Sequence, residues 1–138
     1  MSTWDLTEEE KAAGKTIKMP KRKLARLLKA LRSGEYIQTS GILHNPEDGG
    51  FCCLGLEQYI NNKCKVEVED TGEFRSLPSL EYLEQNGITY LDNVGEPYKC
   101  PFVRKIDAEE TQSFAALNDI GTSFEKIADI WEAHAVGY

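Results

Sequence analysis

Between Pro20 and the Ser33-Gly34 pair, Leu24, Leu27, Leu28 and Leu31 recur at three- and four-residue spacing, the period of one face of an α-helix. Proline suits a helix's first turn, and glycine takes the left-handed conformation that ends one, so the segment carries its own start and stop. A helix with one leucine face must dock on a core, which commits the chain to a packed fold. The opposite face is basic: Lys21, Arg22, Lys23, Arg26, Lys29 and Arg32 lie in it. From Lys15 to Arg32 there are eight basic residues and no acid, whereas from Asp107 to Tyr138 there are seven acids and one base.

The rest of the chain reads as short elements. Glu35 to Leu43, with Tyr36, Ile37, Thr39 and Ile42, has the composition of a strand that Gly41 weakens. His44 to Gly50 is dense in turn formers and predicts an exposed loop. Phe51 to Ile60 is apolar, with Cys53, Leu56, Tyr59 and Ile60 at helical spacing, and predicts a buried helix. Lys65 to Glu69 alternates as a half-exposed strand, Leu77 to Glu84 reads as a helix with proline near its start, and Ile88 to Leu91 as a further short strand. Tyr98 to Ile106 is ambiguous, because Pro101 confines a strand there to an edge or a start. Asp107 to Leu117 reads as a helix with Phe114 and Leu117 inward and Asp107 as its cap. Thr122-Ser123-Phe124-Glu125 matches a capping box, so a helix is expected from about Ser123 to His134, with Phe124, Ile127, Ala128 and Trp131 buried.

These elements predict an α+β fold: a small sheet of short, mostly antiparallel strands packed by four to five helices. At 138 residues the chain has the size of one domain, read as residues 15–138 preceded by a polar N-terminal arm over 1–14. No apolar run approaches the length that spans a bilayer, and Met1 to Ala13 lacks the basic start and apolar stretch of a signal peptide, so a cytosolic protein is expected. The four cysteines are then expected as thiols, Cys52 and Cys53 being adjacent.

Several chemistries are weakened by the residues themselves. Cys52, Cys53, Cys64, Cys100, His44 and His134 could in principle bind zinc, but the Cys-x2-4-Cys knuckle that seats two thiolates on one side of the ion is missing. A catalytic cysteine needs a base, and the chain has two histidines. No Gly-rich phosphate loop and no Gly-x-Ser-x-Gly elbow appear. The turn through Asn118-Asp119 joins two helices as in a helix-turn-helix, yet the second helix carries Glu125, Asp129 and Glu132 against Lys126, which would repel DNA phosphates. A helix stop and a ligand contact both remain open readings of Asn118 and Asp119. The net charge of −7 argues against long nucleic acid, whose binding rests on many Lys and Arg displacing counterions. A small anion needs only two or three donors. The expectation is therefore a non-enzymatic binder without metal or cofactor. Its candidate ligand residues are Lys21, Arg22, Arg26 and Arg32 from the basic helix, Tyr36, Gln38 and Ser40 from the following segment, and Asn118 and Asp119.

Three blocks carry a resemblance. Leu28 to Gln38 (LKALRSGEYIQ), Phe51 to Gly55 (FCCLG) and Leu117 to Asp129 (LNDIGTSFEKIAD) resemble a group of small bacteriophage and prophage proteins, in this order and over roughly Leu28 to His134. Where that group often continues the Cys-Cys-Leu-Gly helix with another Cys and an Asp, this chain has Glu57-Gln58. The resemblance implies a viral setting, in which small accessory proteins counter host defence by sequestering a nucleotide signal or by occluding a host protein. The expected function is sequestration of a small anionic, nucleotide-like signal in the host cytosol, with a homodimer allowed. The alternatives are a module that docks a host protein through its acidic C-terminal helix, and a hydrolase of such a signal.

Overall fold

The computed structural model describes residues 6, 8–40, 42–63, 66, 80–91, 103–105 and 111–138. Among them run α1 (Glu8–Ala13), β1 (Ile17–Met19), α2 (Lys21–Ser33), β2 (His44–Asn45), β3 (Gly50–Phe51), α3 (Cys53–Asn61), α4 (Leu80–Gln85), β4 (Thr89–Tyr90), β5 (Val103–Lys105), β6 (Thr111–Ser113), α5 (Phe114–Asp119), α6 (Phe124–His134) and β7 (Ala135–Gly137). The class is α+β, with six helices among the described residues and small sheets of mostly antiparallel strands.

The leucine stripe does what its spacing requires. Leu27, Leu28 and Leu31 are buried, and α2 packs against both α3 and α6. Pro20 stands just outside the helix as its N-cap residue, and Gly34 ends it at φ 74°, a left-handed conformation that costs a glycine nothing. On α6, Phe124, Ile127, Ala128 and Trp131 are buried, while Glu125, Asp129 and Glu132 face water. The cap differs in detail from the expected box: Ser123 rather than Thr122 caps the helix, accepting from the Lys126 N–H at 3.3 Å. Glu125 is thereby the helix's second residue, one short of the position from which a carboxylate reaches back to the cap.

At the centre lies a sheet in the order β4-β1-β7. β1 runs antiparallel to β4, with Ile17 opposite Tyr90, and parallel to β7, with Ile17 opposite Ala135 and Met19 opposite Gly137. β4 falls within the strand expected at Ile88 to Leu91, but β1 and β7 were not legible, because three residues are too short for an alternating pattern to register. Ile17 and Met19 are fully buried in the core with Leu54, Leu56, Tyr82, Phe114 and Trp131.

Two other expectations change. The stretch from Glu35 to Leu43 holds no extended strand among its described residues, only an isolated bridge at Gln38 opposite Phe51. Phe51 donates to Ile37 O and Thr39 donates to Phe51 O, both at 2.8 Å, after which Asn118 Nδ2 takes Thr39 O at 2.7 Å. A side chain thus occupies the carbonyl that a longer ladder would need. The helix expected from Asp107 begins only at Phe114, because Thr111–Ser113 pairs with Val103–Lys105 as β6 with β5. Ser113 caps it, accepting from the Ala116 N–H at 3.0 Å, and Phe114 and Leu117 point inward as expected. The loop from His44 to Gly50 is a β2–β3 hairpin whose tip, 46–49, is exposed. Lys65 to Glu69 falls almost wholly outside the described residues, as do Asp107, Cys64 and Cys100.

Candidate functional site

The basic face of α2 divides in two. Arg32, in the last turn, reaches α6 and donates to Asp129 Oδ1 at 2.9 Å and Glu132 Oε1 at 3.2 Å. Those hydrogen bonds, that to Glu132 first, raise the pKa of its guanidinium further. Lys23 donates to Asn86 Oδ1 at 2.8 Å. By contrast, Lys21, Arg22, Arg26 and Lys29 are exposed and make no ion pair among the described residues.

Arg26 and Lys29 lie one turn apart on the rim of a groove of about 260 Å³. Its other walls are Ser33 from the end of α2, Glu35 and Tyr36 from the chain that follows Gly34, and Ile60 from α3. The Tyr36 ring is braced edge-on by Phe51 and by Tyr59, each at 6.2 Å between centroids. Phe51 in turn stacks on His44 at 4.5 Å, and His44 Nδ1 lies 3.0 Å from Gly50 O. The Tyr36 ring is thus packed between one ring from the hairpin, Phe51, and one from α3, Tyr59. Ser33 is less available, because its hydroxyl donates to Ala30 O at 2.7 Å and accepts from the Glu35 N–H at 3.2 Å.

Of the residues expected to hold a ligand, the structure brings Arg26 and Tyr36 together. Lys21 and Arg22 stay exposed on α2 outside the groove lining, and Ser40 and Asp119 are exposed elsewhere. Gln38 and Asn118 meet, but as an internal latch: Gln38 Nε2 donates to Asn118 Oδ1 at 2.9 Å and to Thr122 O at 2.6 Å. Asn118 Oδ1 also accepts from the Cys53 N–H at 3.2 Å. The side chain of Asn118 therefore ties the segment after α2, the start of α3 and the α5–α6 turn into one knot, which favours the structural reading of that asparagine. Sequence reasoning missed Lys29, Ser33, Glu35 and Ile60. Lys29 was findable as the next residue after Arg26 on the exposed helical face. Ile60 was not, since its place depends on how α3 crosses α2.

The paired cysteines serve packing. Cys52 caps α3, its sulfur accepting from the Gly55 N–H at 3.4 Å, and Cys53 donates to Phe114 O at 3.6 Å. Both are free thiols with no exposure, and burial pushes the Cys52 thiol up to about 11 and that of Cys53 well above its ordinary value. A thiol so held is not the thiolate that nucleophilic or metal chemistry needs. Among the described residues no group of three His, Cys, Asp or Glu stands close enough to hold a metal ion. Nor is any described helix long and apolar enough to cross a membrane.

A family model described as a domain of unknown function matches residues 19–135. No curated protein and no solved structure matches the chain.

Proposed function

The chain belongs to the DUF8296 family, whose model takes in the groove and every element that frames it, and we propose that it is a non-enzymatic binding protein for a small anionic, nucleotide-like ligand. The observation that carries this reading is the pair Arg26 and Lys29, without an ion pair among the described residues, beside the braced ring of Tyr36. Arg grips phosphate oxygens with two parallel N–H groups and Lys adds a point charge. An aromatic side chain adds about 1–3 kcal/mol per stacked base. The groove is smaller than most ligand pockets, which suits one nucleotide with a face left open better than a long chain. The protein's charge of −7 favours the same choice. With the phage resemblance of its three sequence blocks, the biological reading is an accessory protein that sequesters a nucleotide signal of host defence.

The alternative, docking of a host protein through acidic α6, has less support, because Arg32 already holds Asp129 and Glu132. A hydrolase would need an acid–base pair at the ligand. Among the described residues the groove is lined by one carboxylate, Glu35, and no histidine.

The test is a thermal-shift and calorimetry screen of the full chain against nucleoside monophosphates, cyclic dinucleotides and ADP-ribose. A ligand at a hundred times its dissociation constant adds about 2.7 kcal/mol, which raises Tm by several degrees. Arg26→Ala with Lys29→Ala should weaken that ligand at least tenfold, at about 1.5–3 kcal/mol per charged hydrogen bond, and Lys126→Ala should not. If nothing in the screen binds, or the double variant binds as well as the parent, the reading fails. Recovery of the bound molecule in cleaved form would make the protein an enzyme instead.

A further inference from the structure

Glu35 lines the same groove, and its carboxylate makes no hydrogen bond or ion pair among the described residues. Only its backbone is engaged, donating to Ser33 Oγ at 3.2 Å, and no ion pair joins it to Arg26 or Lys29 among the described residues. Arg32 shows the contrast: on the same helix it holds two acids within 3.2 Å. The groove is therefore lined by two cations and one carboxylate that make no ion pair with one another among the described residues. Cations stand along α2, and a group that can only accept hydrogen bonds stands where the chain leaves the helix at Gly34. From Arg26 to Ser33 the helix rises about 10 Å, the length scale of a nucleotide from phosphate to base.

A carboxylate has two oxygens and no proton to give, so it suits a partner that offers two N–H groups side by side. Guanine offers that pair, N1–H and the N2 amine, on one edge. The matching edge of adenine sets a donor beside an acceptor, and the acceptor's lone pair would face the carboxylate. We infer that Glu35 reads the base, so that the groove takes a guanine nucleotide in preference to an adenine nucleotide. The phosphate lies on Arg26 and Lys29, the ring on Tyr36, and the N1–H and N2 amine on Glu35. The inference rests on the nucleotide reading above and adds the choice of base to it.

The experiment is calorimetric titration of the full chain with GMP, IMP and AMP, for the parent and for Glu35→Gln. GMP should bind the parent roughly tenfold or more tightly than AMP, the scale of one bidentate base contact. IMP, which keeps N1–H and lacks the N2 amine, should fall between. In Glu35→Gln the difference between GMP and AMP should shrink to about twofold, because a side-chain amide offers one acceptor in place of two. Residue 35 is exposed, so the substitution leaves the fold intact, which a circular dichroism melt checks. Equal binding of GMP and AMP to the parent, both lost in Arg26→Ala with Lys29→Ala, overturns the choice of base and keeps the nucleotide reading. A tenfold preference that survives Glu35→Gln also overturns it. Binding of none of the three overturns the choice of base, and the nucleotide reading falls with it if the cyclic dinucleotides and ADP-ribose of the screen above do not bind either.

Discussion

Glu57 is a carboxyl held where a charge is hard to keep. It is 2% exposed on α3, and it accepts from Tyr82 Oη at 2.7 Å and from Asn61 Nδ2 at 3.0 Å. Burial raises its pKa above the ordinary carboxylate value, against the lowering effect of those two hydrogen bonds and of the Lys23 charge. In the unfolded chain the group titrates near about 4.3. Between that value and the raised one the folded state binds the extra proton, so stability is lost as pH rises through the window. Glu57→Gln cannot ionise and removes this trend. Urea midpoints at several pH values are therefore expected to move in favour of the variant, relative to the parent, as pH climbs above about 4. A difference that does not vary with pH would show that the carboxyl keeps its normal titration. Asn118 illustrates the same scale differently: its short side chain satisfies three backbone or amide groups from two segments, which no reading of Asn-Asp-x-Gly as a local turn reveals.

At the scale of elements, α3 explains the Phe-Cys-Cys-Leu-Gly block as a packing device. A Cβ added to Gly55 would lie 1.8 Å from Leu43 O, so the helix crosses the preceding chain at a distance only glycine allows. Leu43 is itself fully buried, and its carbonyl accepts from the Cys52 N–H at 3.1 Å. Gly55→Ala should force α3 away from that chain and cost about 3 kcal/mol, at the upper end of overpacking, read as a lowered urea midpoint. A midpoint unchanged within error would mean that the helix can slide at no cost. α2 shows how one helix does two jobs. Its leucines join the core, and its basic face is divided between a clamp on α6 through Arg32 and the groove through Arg26 and Lys29. The clamp is solvent-exposed and contributes little, under about 1 kcal/mol. It orients α6 more than it stabilises it.

Across the whole molecule, the first and last strands of the described chain meet. β1 and β7 pair in parallel, Tyr138 donates its N–H to Met19 O at 3.2 Å, and Tyr138 O accepts from Lys21 at 2.9 Å. The Tyr138 hydroxyl donates to Gly87 O, next to β4 on the other side of the sheet. The loop closed by this pairing spans nearly the entire chain, so the central sheet is the last part that local contacts can assemble. Deleting residues 135–138 should lower Tm by more than about 10 °C, at about 1 kcal/mol for each lost backbone bond. A circular dichroism melt checks this, and an unchanged Tm would show that β1 holds its place through β4 alone.

The residues by themselves determined what local periodicity and capping can specify. The α2 and α6 helices, the buried run into α3, the inward faces of Phe114 and Leu117, and the α+β class all follow from apolar spacing and from stop signals carried within about a dozen residues. Of the candidate site, the basic face and Tyr36 were legible, because charge and aromaticity are properties of single residues. Only the tertiary structure decided the rest. Whether a cation meets an acid, as Arg32 does, or makes no ion pair among the described residues, as with Arg26 and Lys29, depends on which turn of α2 faces α6. The same holds for β1 and β7, three-residue strands too short to carry a pattern, and for Gln38 and Asn118, which meet across 80 residues of sequence. Such contacts are set by the crossing of elements, and no local signal encodes a crossing.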